Sequence, residues 1–205
     1  CFYITGEESL AQVAMRADRL KLPKEKLRLA AETDVEQILE LARKEQPRLL
    51  VVDSIQVMYL AGLQSAPGSV AQVREGAAAL TRFAKQTGTV LLLVGHVTKD
   101  GTLAGPKVLE HMIDCSLMLE GSADARFRTL RGLKNRFGAV NELGVFAMTG
   151  EGLKEVKNPS AIFLNRADDI APGSLVTVVW EGTRPLLVEL QALVDASHFG
   201  NPRRV

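Results

Sequence analysis

Cysteine is scarce in this chain of 205 residues. Cys1 and Cys115 lie far apart and form neither a C-x-x-C pair nor a disulfide framework. No zinc site can be built from them, and a reducing cytosol suits such usage better than secretion. Long apolar runs are also missing: none approaches the roughly 18 residues of a membrane span. The N-terminus has no basic-then-apolar signal pattern. A cytoplasmic protein without a membrane partner is therefore expected. There is no internal repeat and no low-complexity segment. A phosphate cradle is absent as well, because G-x-x-x-x-G-K-[ST] occurs nowhere in these residues. The nearest candidate, GHVTKDGTLAGPK at 95–107, has Gly101 and Gly105 too close together and Pro106 before the lysine.

What is present has the balance of one globular domain, with room for a small appendage: 46% hydrophobic and 24% charged residues. The formal charge of +1 hides an uneven distribution. Arg126, Arg128, Arg131, Lys134 and Arg136 follow one another with no acid among them. Such a strip suits an anionic partner or forms a solvated strand face, and charge alone does not choose.

CFYIT reads as a buried strand that opens the chain without a lead-in, so a preceding portion is expected. Leu10, Val13, Ala14, Ala17 and Leu20 have helical spacing, closed by Pro23. LRLAAE is a short strand candidate, and Thr33-Asp34-Val35-Glu36 has the form of a capping box that starts a helix running to about Gln46. RLLVVDS and TVLLLVGH are nearly continuous apolar strands separated by a second helical stripe from Val70 to Ala84, which Gly88 ends. Strands of this kind alternating with helices predict a parallel sheet covered on both faces. The segment from Ile55 to Ser69 reads as a loop or mobile insertion. Beyond Met112, MIDCSLMLE, FRTLRGLKN and LGVFAMT predict an antiparallel meander extending the sheet at one edge. A short helical stretch from Ser160 to Asn165 and two apolar runs, SLVTVVW and LLVELQALV, complete the chain.

Asp53 ends an aliphatic strand, where open α/β sheets bind ligands. That is the position of a Walker B acid, which holds Mg²⁺ directly or through water, and equally that of a cap on the next segment. Glu7 and Glu8 follow the first strand in the same manner. Either could orient or deprotonate a water, or both could sit at the positive end of a helix dipole. The glycine-rich loop offers His96, Thr98, Lys99 and Lys107, whose lysines could meet phosphates.

Seven blocks, in chain order, carry a resemblance: TGEESLAQVAMRA, LLVVDSIQ, PGSVAQVRE, VGHVTKDGTLAGPKVLEH, KNRFGAVNELGVF, NPSAIFL and VVWEGTRPLLVELQALV. Together they span almost the whole chain, and it resembles the RadA (Sms) family of bacterial DNA repair proteins. KNRFG is the most specific block.

The resemblance implies a RecA-like ATPase core that drives branch migration of recombination intermediates in a hexameric ring around single-stranded or branched DNA. ATP and Mg²⁺ would be the cofactors, and recombinase or replication-fork proteins are further partners. In the family this core stands between a zinc finger and a Lon-like domain. Residues 1–157 would then be the core without its Walker A portion, and residues 158–205 the end of the core with a connector. By resemblance Glu7 activates water, with Glu8 the weaker candidate, Asp53 is the Walker B acid and His96 senses the γ-phosphate. Lys99, Lys107, Gln64 and Ser69 lie where DNA-contacting loops lie. Lys134 and Arg136 would act as fingers in trans. One residue apart on a strand, they would leave the same face, with Asn135 turned away, Phe137 a packing anchor and Gly138 a turn. Two other readings compete: a non-hydrolysing assembly or DNA-binding module, motivated by the missing Walker A pattern, and a different RecA-like ring ATPase or helicase, against which KNRFG argues.

Overall fold

The computed structural model describes residues 1–23, 25–96, 108–121, 126–140, 142–160, 164, 173–181 and 184–192. The chain divides into two compact units, Cys1–Asp114 and Cys115–Val205.

In the first unit the strands β1 (Phe2–Thr5), β2 (Arg28–Ala31), β3 (Leu49–Asp53) and β4 (Val90–Val94) alternate with helices α1 (Leu10–Arg19), α2 (Val35–Glu45) and α3 (Val70–Thr87), and α4 (Val108–Met112) follows. All four strands are parallel, in the order β2-β1-β3-β4. The chain therefore steps from β1 outward to β2, then returns past β1 to β3 and on to β4. Right-handed crossovers put α1 on one face and α2 and α3 on the other. On the two-helix face Phe2, Ile4, Leu50 and Val52 pack with Ile38, Ala42, Val73, Ala77 and Leu80 into one core. On the opposite face α1, alone there among the described residues, contributes buried Val13 and Ala17.

One helix cannot cover four strands. On β4, an edge strand among the described residues, Val90 and Leu92 are 63% and 50% exposed. The expectation of a sheet covered on both faces thus holds for β3, whose Leu50, Val51 and Val52 are all buried, and fails for β4.

Two local readings are corrected. The N-cap of α2 is Asp34, whose carboxylate accepts from the Glu36 N–H, and the Glu32 carboxylate, two residues earlier, accepts from the N–H groups of Thr33 and Asp34 at 2.7 and 2.9 Å. The capping box belongs instead to α1, where the Gln12 N–H donates to Ser9 Oγ at 3.3 Å and the Ser9 N–H to Gln12 Oε1 at 2.9 Å. A glutamine at the third helical position does there what the Glu36 side chain was expected to do.

The segment after β3 is not a loose insertion. Ile55 and Met58 are 1% exposed within the core. Gln72, 2% exposed on α3, accepts from the Leu60 N–H at 2.8 Å and donates to the carbonyls of Leu60, Leu63 and Ser65 at 3.2, 3.4 and 2.9 Å. Its amide replaces the regular ladder that a turn-rich stretch cannot make for itself. Gln72→Leu is expected to lower stability by about 2–4 kcal/mol, since several inward-facing backbone groups lose their partner at about 1–3 kcal/mol each. The denaturation midpoint measures this, and Asn at the same position, one methylene short, should not restore it.

The second unit is antiparallel. Strands β5 (Cys115–Glu120), β6 (Phe127–Asn135), β7 (Leu143–Thr149) and β8 (Gly152–Glu155) pair in sequence order, and β9 (Ser174–Glu181) pairs with β10 (Arg184–Gln191). The meander is present. Among the described residues it is a hydrogen-bonded sheet of its own, lengthened by β8, which no apolar run announced. The helical stretch expected from Ser160 to Asn165 lies, apart from Ser160 and Leu164, outside the described residues.

Candidate nucleotide site at the strand ends

The reversal of winding direction falls between β1 and β3, so the crevice of a doubly wound sheet lies beyond the carboxyl ends of these two strands. Thr5 pairs with Asp53 and Asp53 with Val94, which brings the three strand ends level. The Gly6 N–H donates to the Asp53 carbonyl at 2.7 Å and carries the pairing one residue further. Gly6 has no room for a side chain, because a Cβ there would stand 2.4 Å from Val57 Cγ2. The residues released at this rim are Glu7, Ser54 and His96.

These three meet. The hydroxyl of Ser54, a fully buried residue, donates to Glu7 Oε1. His96 Nε2 lies 3.1 and 3.3 Å from the two carboxylate oxygens of Glu7. The Ser54 hydrogen bond, aided by His96 and opposed by partial desolvation, holds the Glu7 carboxyl below the usual glutamate range. The side chains of Glu7 and His96 remain 38% and 59% exposed, so a ligand can reach both. Below His96, Gln56 Nε2 donates to its carbonyl at 3.2 Å.

Glu8 points elsewhere. Its Oε1 pairs with Arg16 on α1 at 2.5 Å, and its N–H donates to Thr5 Oγ1 at 3.0 Å. Of two adjacent acids, one is thus bound to the first helix and one faces the crevice. Asp53 accepts at Oδ2 from the Tyr3 hydroxyl. Burial first, and then this hydrogen bond, push the Tyr3 phenol far above its ordinary value.

In the second unit β6 ends at Asn135, so Arg136 lies beyond the strand and the same-face argument for Lys134 and Arg136 does not hold. Ser116 pairs with Lys134 but Leu117 with Gly132, which leaves Leu133 as an extra residue that breaks the alternation. Lys134 lines a cavity of about 240 Å³ with Gly132, Asn135 and Glu142. Asn135 is not simply turned away: its Oδ1 accepts from the Phe137 N–H at 3.0 Å and its Nδ2 donates to the Ala139 carbonyl at 3.2 Å. This clasp folds the chain over Gly138, where a Cβ would approach Asn135 Nδ2 to 3.3 Å. Phe137, expected as a packing anchor, is 82% exposed at the tip.

Of the candidate DNA contacts, Gln64 is exposed on the segment that Gln72 holds, and Ser69 caps α3 by accepting from the Gln72 N–H at 3.3 Å. Thr98, Lys99 and Lys107 lie outside the described residues. Sequence reasoning missed Tyr3, Ser54, Gln56 and Gln72. Ser54 was adjacent to Asp53, and the two-residue period of a strand puts Tyr3 on the face of Thr5 and Asp53. Nothing local marked Gln56 or Gln72, whose partners are 40 and up to 12 residues away.

Residues 6–102 match a family described as AAA domain. The chain is 70% identical over 203 residues to the DNA repair protein RadA of Escherichia coli K12, a match covering 99% of this chain and 44% of that protein. It is 52% identical over 203 residues to the DNA repair protein RadA of Halalkalibacterium halodurans, covering 99% and 44%. For the protein of that name from Bacillus subtilis the identity is 51% over 203 residues, with the same coverage. The chain thus spans less than half the length of these relatives. Over the segment it shares with them, this chain, with its AAA-type parallel sheet, belongs to the family of DNA repair protein RadA.

Proposed function

We propose that this chain is the ATPase core of a DNA-dependent motor that moves branch points in recombination intermediates. The observation that carries the reading is the meeting of Glu7, Ser54 and His96 beside Asp53 at the winding reversal of the sheet. In it Glu7 orients and deprotonates the attacking water, and the Ser54 hydroxyl and His96 hold its carboxylate in place. His96 registers whether the γ-phosphate is present.

Among the described residues no group of three or more His, Cys, Asp or Glu side chains could form a metal cage. Mg²⁺ takes one or two carboxylates, phosphate oxygens and waters. Asp53 would hold it, directly or through water. Mg²⁺ when bound neutralises charge on the phosphates.

The functional core is proposed to run through residue 157, across the boundary between the compact units, and residues 158–205 to lead toward a Lon-like domain. Lys134 and Arg136 serve the nucleotide of a neighbouring subunit in a hexameric ring. Gln64, Ser69, Lys99 and Lys107 contact DNA backbone, which gives affinity without base readout and a steep salt dependence. A cytoplasmic setting and contacts with recombinase or replication-fork proteins belong to the same reading. No helix among the described residues is long and apolar enough to cross a membrane.

The test is ATP hydrolysis by the full-length protein with and without branched DNA, together with displacement of a labelled branch point. Stimulated hydrolysis coupled to displacement is expected, and hydrolysis indifferent to DNA would refute the motor. The missing G-x-x-x-x-G-K-[ST] favours a second reading for these 205 residues alone, as a module that does not turn over ATP. Submillimolar, Mg²⁺-dependent ATP binding by the chain itself would count against that second reading.

A further inference from the structure

Tyr3 stands outside every role given so far, yet its hydroxyl is directed at the carboxylate proposed to hold the metal. β1 and β3 run parallel with Tyr3 opposite Val51 and Thr5 opposite Asp53. Paired residues of a parallel sheet share a face, so Tyr3, Thr5, Val51 and Asp53 lie on one side, and Phe2, Ile4, Leu50 and Val52 enter the core on the other. Two residues of strand rise separate the level of Tyr3 from that of Asp53, about 6.6 Å. A tyrosine side chain spans that distance, and no shorter hydroxyl would. The phenol oxygen accordingly reaches Asp53 Oδ2. The side chain is partly buried, and the hydrogen bond to Asp53 fixes where its hydroxyl points.

We infer that Tyr3 is a positioning and specificity residue for the divalent cation, acting through Asp53. Its O–H takes one lone pair of one carboxylate oxygen, restrains rotation of the group, and favours the other oxygen for the cation or its water over a cation that takes both at once. That restriction discriminates. Mg²⁺ is small, needs near-ideal octahedral geometry and is satisfied by one carboxylate oxygen, whereas Ca²⁺ has a larger shell and readily takes both oxygens of a carboxylate. A carboxylate with one oxygen already bonded can serve the first ion fully and the second only in part. Partners outside the first shell that orient a ligand in this manner commonly change metal affinity about 10–100-fold. The inference rests on the proposed role of Asp53.

The test measures binding of a non-hydrolysable ATP analogue to the full-length protein, with Mg²⁺, with Ca²⁺ and with neither. Tyr3→Phe removes a single oxygen and keeps the ring. It should weaken Mg²⁺-supported binding about tenfold, narrow the preference for Mg²⁺ over Ca²⁺, and leave metal-free binding unchanged. Asp53→Asn should remove the metal dependence, and adding Tyr3→Phe to it should change nothing further. If Tyr3→Phe leaves the Mg²⁺ to Ca²⁺ ratio as it was while Asp53→Asn abolishes metal dependence, Tyr3 has no such role and Asp53 keeps its own. If Asp53→Asn retains full metal dependence, the role of Asp53 fails and that of Tyr3 fails with it. Should Tyr3→Phe fold poorly, the same comparison in Tyr3→Leu, which also has no side-chain donor, decides the matter in the same terms.

Discussion

Glu7→Gln in the full-length protein is expected to lower the rate of ATP hydrolysis about 10²–10⁴-fold, the usual contribution of a positioned general base. Nucleotide affinity should persist. The substitution is chosen because glutamine preserves shape: its side-chain oxygen can still accept from the Ser54 hydroxyl as Glu7 Oε1 does. What it removes is the capacity to take a proton. Ser54 also affects the acid limit. By holding the Glu7 carboxyl below its ordinary value of 4.5, it extends the ionised range of the group further toward acid. The sign follows: the folded-state value is depressed, so whatever the Ser54 and His96 contacts contribute is complete above the ordinary glutamate range and fades as pH falls through the depressed value. Near-normal turnover in Glu7→Gln at saturating ATP would remove Glu7 from the chemistry, and Glu8 could not easily replace it while paired with Arg16.

Arg136→Ala should cost more, about 10³–10⁵-fold in turnover if its guanidinium neutralises phosphate charge as an arginine finger does. Lys134→Ala should act in the same direction. The decisive measurement is a mixture. Subunits carrying Arg136→Ala keep Glu7 and lack a finger, whereas subunits carrying Glu7→Gln keep the finger and lack the base. Where an Arg136→Ala subunit receives its finger from a Glu7→Gln neighbour, one complete site forms, and mixed rings should recover a measurable share of the activity that either variant alone lacks. Failure of the mixture, with both variants folded and assembled, would mean that the fork does not act in trans. Asn135→Ala offers a check on positioning, because it opens the clasp to Phe137 and Ala139 without removing either cation.

These two results depend on residues of different legibility. Glu7 and Asp53 could be read from sequence because an acid just past an aliphatic run is placed by the strand itself: pairing Thr5 with Asp53 delivers both to one edge. Lys134 and Arg136 could be singled out by pattern, but not placed. Alternation along β6 depends on an uninterrupted ladder, and the extra residue at Leu133 and the strand end at Asn135 interrupt it. A bulge arises from the pairing of two strands, and neither strand announces it. Phe137 was misread for a related reason, since hydrophobic character predicts burial only where a packed surface is available, and the Asn135 clasp turns this residue out to 82% exposure.

By itself the sequence determined the class of the chain: a parallel sheet alternating with helices, an antiparallel meander, acids at the ends of two strands, and a block specific enough to identify its relatives. Those properties follow from periodicity and local chemistry, which act over a few residues. Only the tertiary structure decided which acid faces the crevice, because Glu8 is drawn to Arg16 eight residues away, whereas Glu7 is held by Ser54 across 47 residues and His96 across 89. It likewise converted the segment after β3 from an apparent loop into a packed strap through one buried amide, Gln72. It also joined Tyr3 to Asp53 across 50 residues. Hydrogen bonds over such separations are set by strand order and register, which no local window of sequence contains.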